Sequence, residues 1–145
     1  THLGKPEFSK EKTLFEFQEI VIPHPAKDGY FKNELQISYH DSDRVEFIEF
    51  SGRGARLTKV YLNGVDVFKT PAPQLLKQIA QITNTNFDET DDEIPYSYVY
   101  RDVDLAVWRQ VTPEIDENLE DVPENDDGKY FWTVGIGIKG YYTKI

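Results

Sequence analysis

Strict alternation of apolar and polar residues is the feature that most restricts how this chain folds. Leu35, Ile37 and Tyr39 alternate with Glu34, Gln36 and Ser38. A period of two places successive side chains on opposite faces of a strand, so this segment is predicted to be a half-buried antiparallel strand. The same alternation predicts a strand near the end of the sequence, with apolar positions at Tyr130, Trp132, Val134, Ile136 and Ile138. Trp132 shares this apolar face and is predicted to lie in the core.

One segment departs from this period and repeats its apolar residues at helical spacing. Thr70–Pro71 has the residues of an N-cap followed by proline at the first helical position, and Thr83–Asn84 marks the end. A helix with one apolar stripe is expected to pack on a face of a sheet. The predicted fold class is therefore α+β: an antiparallel, curved β-meander with one well-marked helix packed on a face.

Turn residues divide the rest of the chain into strand pairs. The turn residues 40–43 precede Arg44–Phe50, which predicts a hairpin with the strand before it. Asn63–Gly64, the dipeptide that best tolerates two positive φ angles, separates Leu57–Leu62 from Val65–Phe68.

A third strand pair is predicted for Tyr96–Tyr100 and Val103–Trp108, which flank Arg101–Asp102. Nearer the start of the sequence, Thr13–Ile22 fits either a strand or a short helix, and its periodicity does not decide between them. Residues that interrupt secondary structure should end that segment, and they are Pro23, Pro25, Asp28 and Gly29.

Length and composition indicate one domain over residues 1–145, with an uncertain N-terminal segment at 1–33 and an acidic loop insert at 112–128. The chain is 39% hydrophobic and 14% aromatic, which is enough to form a core. It has no cysteine, so thiolate chemistry is excluded and a cytoplasmic location is favoured. No apolar run is long enough to cross a bilayer, and we expect no membrane partner.

Charge is concentrated in one part of the sequence. Residues 86–127 carry 15 acidic and 2 basic side chains, a local charge of −13, whereas the remaining residues carry 11 acidic and 14 basic ones. A concentrated field attracts and steers a basic partner more effectively than scattered acids do. Direct binding of nucleic acid is disfavoured, because the net charge is −10 and phosphate contacts need a basic face.

The candidate partner-binding residues lie in and between the two acidic runs. A row of tyrosines on one side of a predicted strand offers contact area and hydroxyl groups, although the same row would also pack under the sheet or against the helix. Trp108–Arg109 and Tyr141–Tyr142 are further candidates for an aromatic contact surface. The predicted contacts are Asp88, Glu89, Asp91, Asp92, Glu93, Tyr96, Tyr98, Tyr100, Glu114, Asp116, Glu117, Glu120 and Asp121.

The sequence predicts no metal or cofactor. The histidines His2, His24 and His40 have no partner at a meaningful spacing, and a His40–Asp43 site would need further ligands that the sequence does not locate. Neither acidic run has the glycine and acid positions of an EF-hand. Paired carboxylates of the glycosidase kind must lie across a cleft, and a chain with 26 acids always offers some suitable pair; the pairs considered are Asp102 with Asp104 and Glu46 with Glu49.

In its arrangement of elements the chain resembles the small acidic immunity proteins that bacteria encode beside polymorphic or contact-dependent toxins. The resemblance implies a non-enzymatic inhibitor that binds a cognate basic toxin domain, often a nuclease, and covers its active site. It transfers no particular residue. The segments that carry it are Leu35–Tyr39, Arg44–Phe50, Leu62–Phe68, Val103–Arg109 and Val134–Tyr142.

The sequence therefore favours a binding protein that neutralises a toxin by direct occlusion. Two alternatives remain open at this point: a general interaction or adaptor domain, and an enzyme that acts on a small or cationic substrate through the carboxylate pairs named above. The oligomeric state is not predicted.

Overall fold

The structure is a computed structural model, and it describes residues 6, 8–10, 13–17, 20–24, 27–40, 44–52 and 58–143. For the strand residues between 8 and 24 it describes the backbone alone. The predicted turn at 40–43 lies partly outside these ranges, and His2 and Asp43 lie wholly outside them.

A seven-stranded sheet in which every neighbouring pair is antiparallel forms the centre of the fold. Its strand order is β1-β4-β5-β6-β11-β10-β9. The α+β class with an antiparallel sheet is thus confirmed. The strands of this sheet are β1 (Phe8–Lys10), β4 (Lys27–Tyr30), β5 (Leu35–Tyr39), β6 (Val45–Ser51), β9 (Ser97–Tyr100), β10 (Leu105–Trp108) and β11 (Thr133–Gly137).

Six of the seven strands form two three-stranded meanders, β4-β5-β6 and β9-β10-β11, which are joined where β11 pairs with β6, and β1 adds to the edge at β4. Residues directly opposite each other share a face of the sheet. One such row runs across both meanders and is apolar throughout. It consists of Tyr98, Val107, Val134, Phe50, Leu35 and Tyr30.

Two small hairpins lie outside the main sheet. In the first, β2 (Thr13–Phe17) pairs with β3 (Ile20–His24), so the segment whose periodicity was ambiguous is a strand pair. The predicted stop at Pro23 is wrong, because β3 continues through it and β4 includes Asp28 and Gly29. A strand of a two-stranded ribbon has one unpaired edge, where proline is tolerated.

The second hairpin joins β7 (Tyr61–Leu62) to β8 (Val65–Asp66) through Asn63–Gly64. The φ angles of Asn63 and Gly64 are 48° and 84°, which confirms the predicted turn.

The predicted helix is confirmed as α1 (Ala72–Thr83), and it ends at Asn84 in the left-handed conformation, with φ 54°. Its start differs from the prediction. Pro71 occupies the N-cap position without a side-chain cap, and the Thr70 hydroxyl instead donates to the Asp66 carbonyl at 2.6 Å. The first helical N–H, that of Ala72, donates to the Lys129 carbonyl at 3.0 Å. The helix start is therefore attached to the loop that follows β10.

Helix α1 packs on the half of the sheet formed by β9, β10 and β11. Leu75 and Ile79 are buried against the sheet, and the Tyr100 hydroxyl donates to the helical carbonyl of Leu76 at 3.0 Å. Tyr98 and Tyr100 are 7% and 0% exposed. Their assignment to a partner surface is therefore wrong, because the helix covers the face of the sheet on which their rings lie.

The apolar pattern predicted for β11 is only partly buried. Val134 is buried, but Ile136 and Ile138 are 45% and 38% exposed. Phe131, which the alternation placed on the opposite side, is 2% exposed and belongs to the core, while Trp132 is half-buried. Residues 131 and 132 precede the strand, so its period of two does not extend to them, and within the strand the burial does not alternate either.

On the opposite face, aromatic rings lie directly against glycine backbone. The ring of Phe47 stacks on Tyr141 with centroids 4.7 Å apart. A Cβ atom at Gly135 would overlap the Phe47 ring, and one at Gly137 would overlap Tyr141. Both glycines are needed for this close approach rather than for any unusual φ angle.

We predict that Gly135→Ala lowers the free energy of unfolding by about 1–3 kcal/mol, because the added methyl group displaces the Phe47 ring. Urea unfolding measures the loss. Phe47→Leu should relieve the overlap, so the double variant should lose less than the sum of the two single losses. Strictly additive losses would contradict this packing.

Candidate acidic binding surface

The two acidic runs flank the β9–β10 hairpin. The first, residues 88–93, precedes β9, and the second, residues 112–128, connects β10 to β11. The two basic residues of the whole acidic segment are Arg101 and Arg109, and each directly follows one strand of this hairpin. Both arginines bind carboxylates of the acidic runs.

Arg109 is buried and is held by several acceptors. Its side chain has no exposed surface, and it forms two bonds with the Glu117 carboxylate, from Nη2 to Oε1 at 2.6 Å and from Nη1 to Oε2 at 2.9 Å. Its Nη1 also donates to the Gly128 carbonyl at 2.7 Å, and its Nε donates to the Pro95 carbonyl at 3.2 Å. The guanidinium also lies 5.3 Å from the ring centroid of Phe131. Such a site suits the planar, multidentate guanidinium, because a buried cation needs all its donors satisfied.

These contacts join the two acidic loops at one point. Glu117 and Gly128 belong to the second run. Pro95 lies in the loop between α1 and β9, which also contains the first run. The Arg109 N–H also donates to the Tyr96 carbonyl at 2.9 Å. Arg109 therefore fixes the position of both loops relative to the hairpin.

Arg101 attaches the first run at the outer edge of the sheet. Its Nε donates to Asp88 Oδ2 at 2.7 Å, and its Nη2 lies 3.5 Å from Asp91 Oδ2. The Asp88 N–H donates to the Val99 carbonyl at 2.8 Å, so the run also covers the edge strand β9. The Arg101 side chain is 38% exposed, so its ion pairs contribute less stability than those of the buried Arg109.

The pKa of Asp88 is lowered from 3.8 to about 2. The largest cause is the hydrogen bond from the Thr90 hydroxyl, at 2.6 Å, followed by the bond from Arg101. Both donors stabilise the ionised form of the carboxyl group.

The second run is folded by its own polar groups. Asp126 accepts the Glu114 N–H at 3.1 Å and the Gly128 N–H at 2.8 Å, while Asp116 accepts the Asn118 N–H at 2.9 Å. Carboxylates that accept nearby backbone N–H groups stabilise turns without regular secondary structure. The 112–128 insert is thus an ordered loop that uses part of its acids internally.

The remaining predicted acids point outward. Asp88, Asp91 and Glu117 are engaged by the two arginines and are only partly exposed. Tyr96 is 44% exposed, unlike the other two tyrosines of the row. The exposed members of the predicted set, called the acidic surface below, are Glu89, Asp92, Glu93, Tyr96, Glu114, Asp116, Glu120 and Asp121.

Two features of this region were missed by the sequence prediction. Leu119, in the turn that follows Asp116, is 80% exposed and lies among the outward acids. Arg109, considered above as part of an aromatic contact surface, is buried. No sequence signal separates it from Arg101, which also directly follows a strand in the acidic segment but is 38% exposed.

A comparison with family models, curated proteins and solved structures gives no match to this chain. Within the described ranges, no group of three or more potential ligand side chains is arranged to hold a metal ion. No helix of that part of the chain has the length and apolarity to cross a bilayer.

Three of the four carboxylates considered for catalysis have structural contacts. Asp104 is 6% exposed, and its two oxygens accept the N–H groups of Gly140 at 2.8 Å and Tyr142 at 3.0 Å. Asp102 accepts the Thr85 hydroxyl at 2.8 Å. Glu49 lies 3.9 Å from the Lys27 ammonium group. The oxygens of Asp104 are thus directed at backbone and not at a substrate position.

A cleft of about 540 Å³ lies between the second acidic run and the β7–β8 region. Lys59 and Lys69 line one side, Glu124 and Asp127 line the other, and Trp132 is part of the wall. Because both signs of charge surround it, electrostatics alone selects neither a cationic nor an anionic occupant.

We predict that Arg109→Met lowers the free energy of unfolding by about 3–5 kcal/mol, because it leaves the Glu117 carboxylate and two carbonyl groups without their donor. Chemical denaturation measures the loss. The matched control Arg101→Met should cost less than about 1 kcal/mol, because its pairs are exposed. Equal losses in the two variants would show that burial of Arg109 does not matter.

A carbon-detected NMR titration should give Asp88 a pKa near 2, and Thr90→Val should raise it toward the ordinary value. Since the folded-state pKa is below the unfolded one, the stabilisation by Asp88 is present above pH 3.8 and is lost as the pH falls toward about 2. An Asp88 midpoint unchanged by Thr90→Val would refute the assigned cause.

Proposed function

We propose that this chain is a non-enzymatic binding protein of the cytoplasm that captures a basic protein partner on its acidic surface. In the specific form that we favour, the partner is a cognate toxin domain, and binding covers its active site. The observation that supports this proposal most strongly is the buried guanidinium of Arg109, which binds Glu117 and Gly128 of the second run and the Pro95 carbonyl beside the first.

Electrostatic attraction is the first part of the argument. The outward acids belong to loops that meet at the same hairpin, so their fields add in one region of the surface. Such a field raises association rates toward about 10⁸–10⁹ M⁻¹s⁻¹ at low salt. An inhibitor that protects its own cell benefits from fast capture of its target.

Order before binding is the second part. A loop that is ordered only on binding loses conformational entropy at that step, which weakens the complex. The 112–128 insert already has its turns closed by Asp116 and Asp126, and Glu117 is held by Arg109. The acidic surface should therefore dock with little rearrangement.

Apolar contacts are the third part, because charge governs the association rate more than the lifetime of a complex. Tyr96 and Leu119 are exposed within the acidic surface, at 44% and 80%. Tyrosine is among the residue types that most often carry the affinity of an interface, and Leu119 adds apolar contact area beside it. An adaptor domain with another basic partner would use the same surface, and a toxin gene next to the gene for this chain would separate the two functions.

Stopped-flow measurements test the proposal after the partner has been identified by co-purification at moderate salt. We predict that replacing Glu89, Asp92, Glu93, Glu114, Glu120 and Asp121 by their amides slows association about tenfold or more and removes most of its salt dependence, while Asp116 is kept because it closes a turn of the insert. The dissociation rate should change less.

The matched comparison uses two charges at a time. Glu120→Gln with Asp121→Asn should slow association measurably, whereas Glu46→Gln with Asp102→Asn, which removes the same charge outside the acidic surface, should not. Association rates that are equal in the two variants and insensitive to ionic strength would rule out capture by this surface.

A further inference from the structure

Residues 138–143 follow β11 and lie against the sheet face opposite α1. The Ile138 N–H donates to the Glu46 carbonyl at 2.9 Å, and the Tyr141 N–H donates back to the Ile138 carbonyl at 2.9 Å. Tyr141 stacks on Phe47, and the Tyr142 ring meets Phe47 edge-on with centroids 6.1 Å apart. The segment is therefore both hydrogen-bonded and packed.

Two side chains of the turn between β9 and β10 hold this segment. The buried Asp104 carboxylate accepts the N–H groups of Gly140 and Tyr142, and the Arg101 Nη1 donates to the Tyr142 carbonyl at 2.6 Å. Arg101 is the same residue whose Nε and Nη2 face Asp88 and Asp91. One guanidinium thus contacts the first acidic run on one side and segment 138–143 on the other.

We propose that Arg101 couples the first acidic run to segment 138–143. The carboxylates of Asp88 and Asp91 fix the orientation of the guanidinium, and this orientation directs Nη1 at the Tyr142 carbonyl. A cation that takes these carboxylates from Arg101 loosens the hold on residues 140–142. By linkage, release of the segment changes cation affinity at the run to the same extent.

The chemistry of arginine explains why this position can transmit a change. Its donors are fixed in one plane, so withdrawing the acceptors of two of them frees the whole group to rotate. With 38% of its side chain exposed, Arg101 is open to competition from a basic ligand, unlike the buried Arg109. The coupling is a property of the free chain, and only its use by a basic partner rests on the proposed function.

Amide hydrogen exchange of the free protein tests the coupling. Asp88→Asn with Asp91→Asn should speed exchange at Gly140 and Tyr142 about two- to fivefold, the range that exposed ion pairs support. Exchange at Gly128, whose N–H donates to Asp126, should not change. The control Asp92→Asn with Glu93→Gln removes equal charge from the same run without touching Arg101 and should leave all three amides unchanged.

Two further measurements use the same amides. Arg101→Lys keeps the charge but not the planar donors, and it should speed exchange at Gly140 and Tyr142 as the aspartate variant does. A hexalysine peptide should speed exchange in the wild type and not in the aspartate variant. The coupling is overturned if the aspartate variant exchanges at the wild-type rate or more slowly, or if the control variant changes as much. Since the variant comparisons involve no partner, they succeed or fail independently of the proposed function.

Discussion

A buried guanidinium is the interaction on which the acidic half of this molecule depends. The carboxylates of the two runs repel one another, and a fixed cation beside them offsets that repulsion. Arg109 supplies that cation at the end of β10, and its other donors bind the Gly128 and Pro95 carbonyls. The end of β10, the 112–128 insert and the loop before β9 therefore meet at the Arg109 side chain. This attachment limits the motion of the exposed acids.

The main sheet and the core that it forms with α1 support the acidic loops. The pairing of β11 with β6 joins two meanders into one apolar row, and helix α1 covers the part of that row nearest the acidic loops. Phe131 belongs both to this core and to the surroundings of the Arg109 guanidinium. Packing of the core and placement of the charge are thus parts of one structure rather than separate features.

Local patterns in the sequence were sufficient to predict local structure. The Asn63–Gly64 turn, the strands around Arg101 and the extent of α1 follow from turn chemistry and periodicity, which depend on near neighbours. Burial depends on distant parts of the chain. Alternation placed Tyr98 and Tyr100 on one face but could not show that the helix covers it, and an arginine in an acidic segment has the same sequence pattern whether it is exposed or buried. The pairing of β6 with β11 is equally non-local, and no short-range signal specifies it.

The central claim is that the acidic loops are ordered before any partner is present, because Arg109 holds them. Backbone ¹⁵N relaxation of the free protein measures this most directly. We expect order parameters for residues 112–128 close to those of β10, about 0.85, and a decrease when Arg109 is replaced. Values below about 0.6 through most of the insert in the wild-type protein would contradict it.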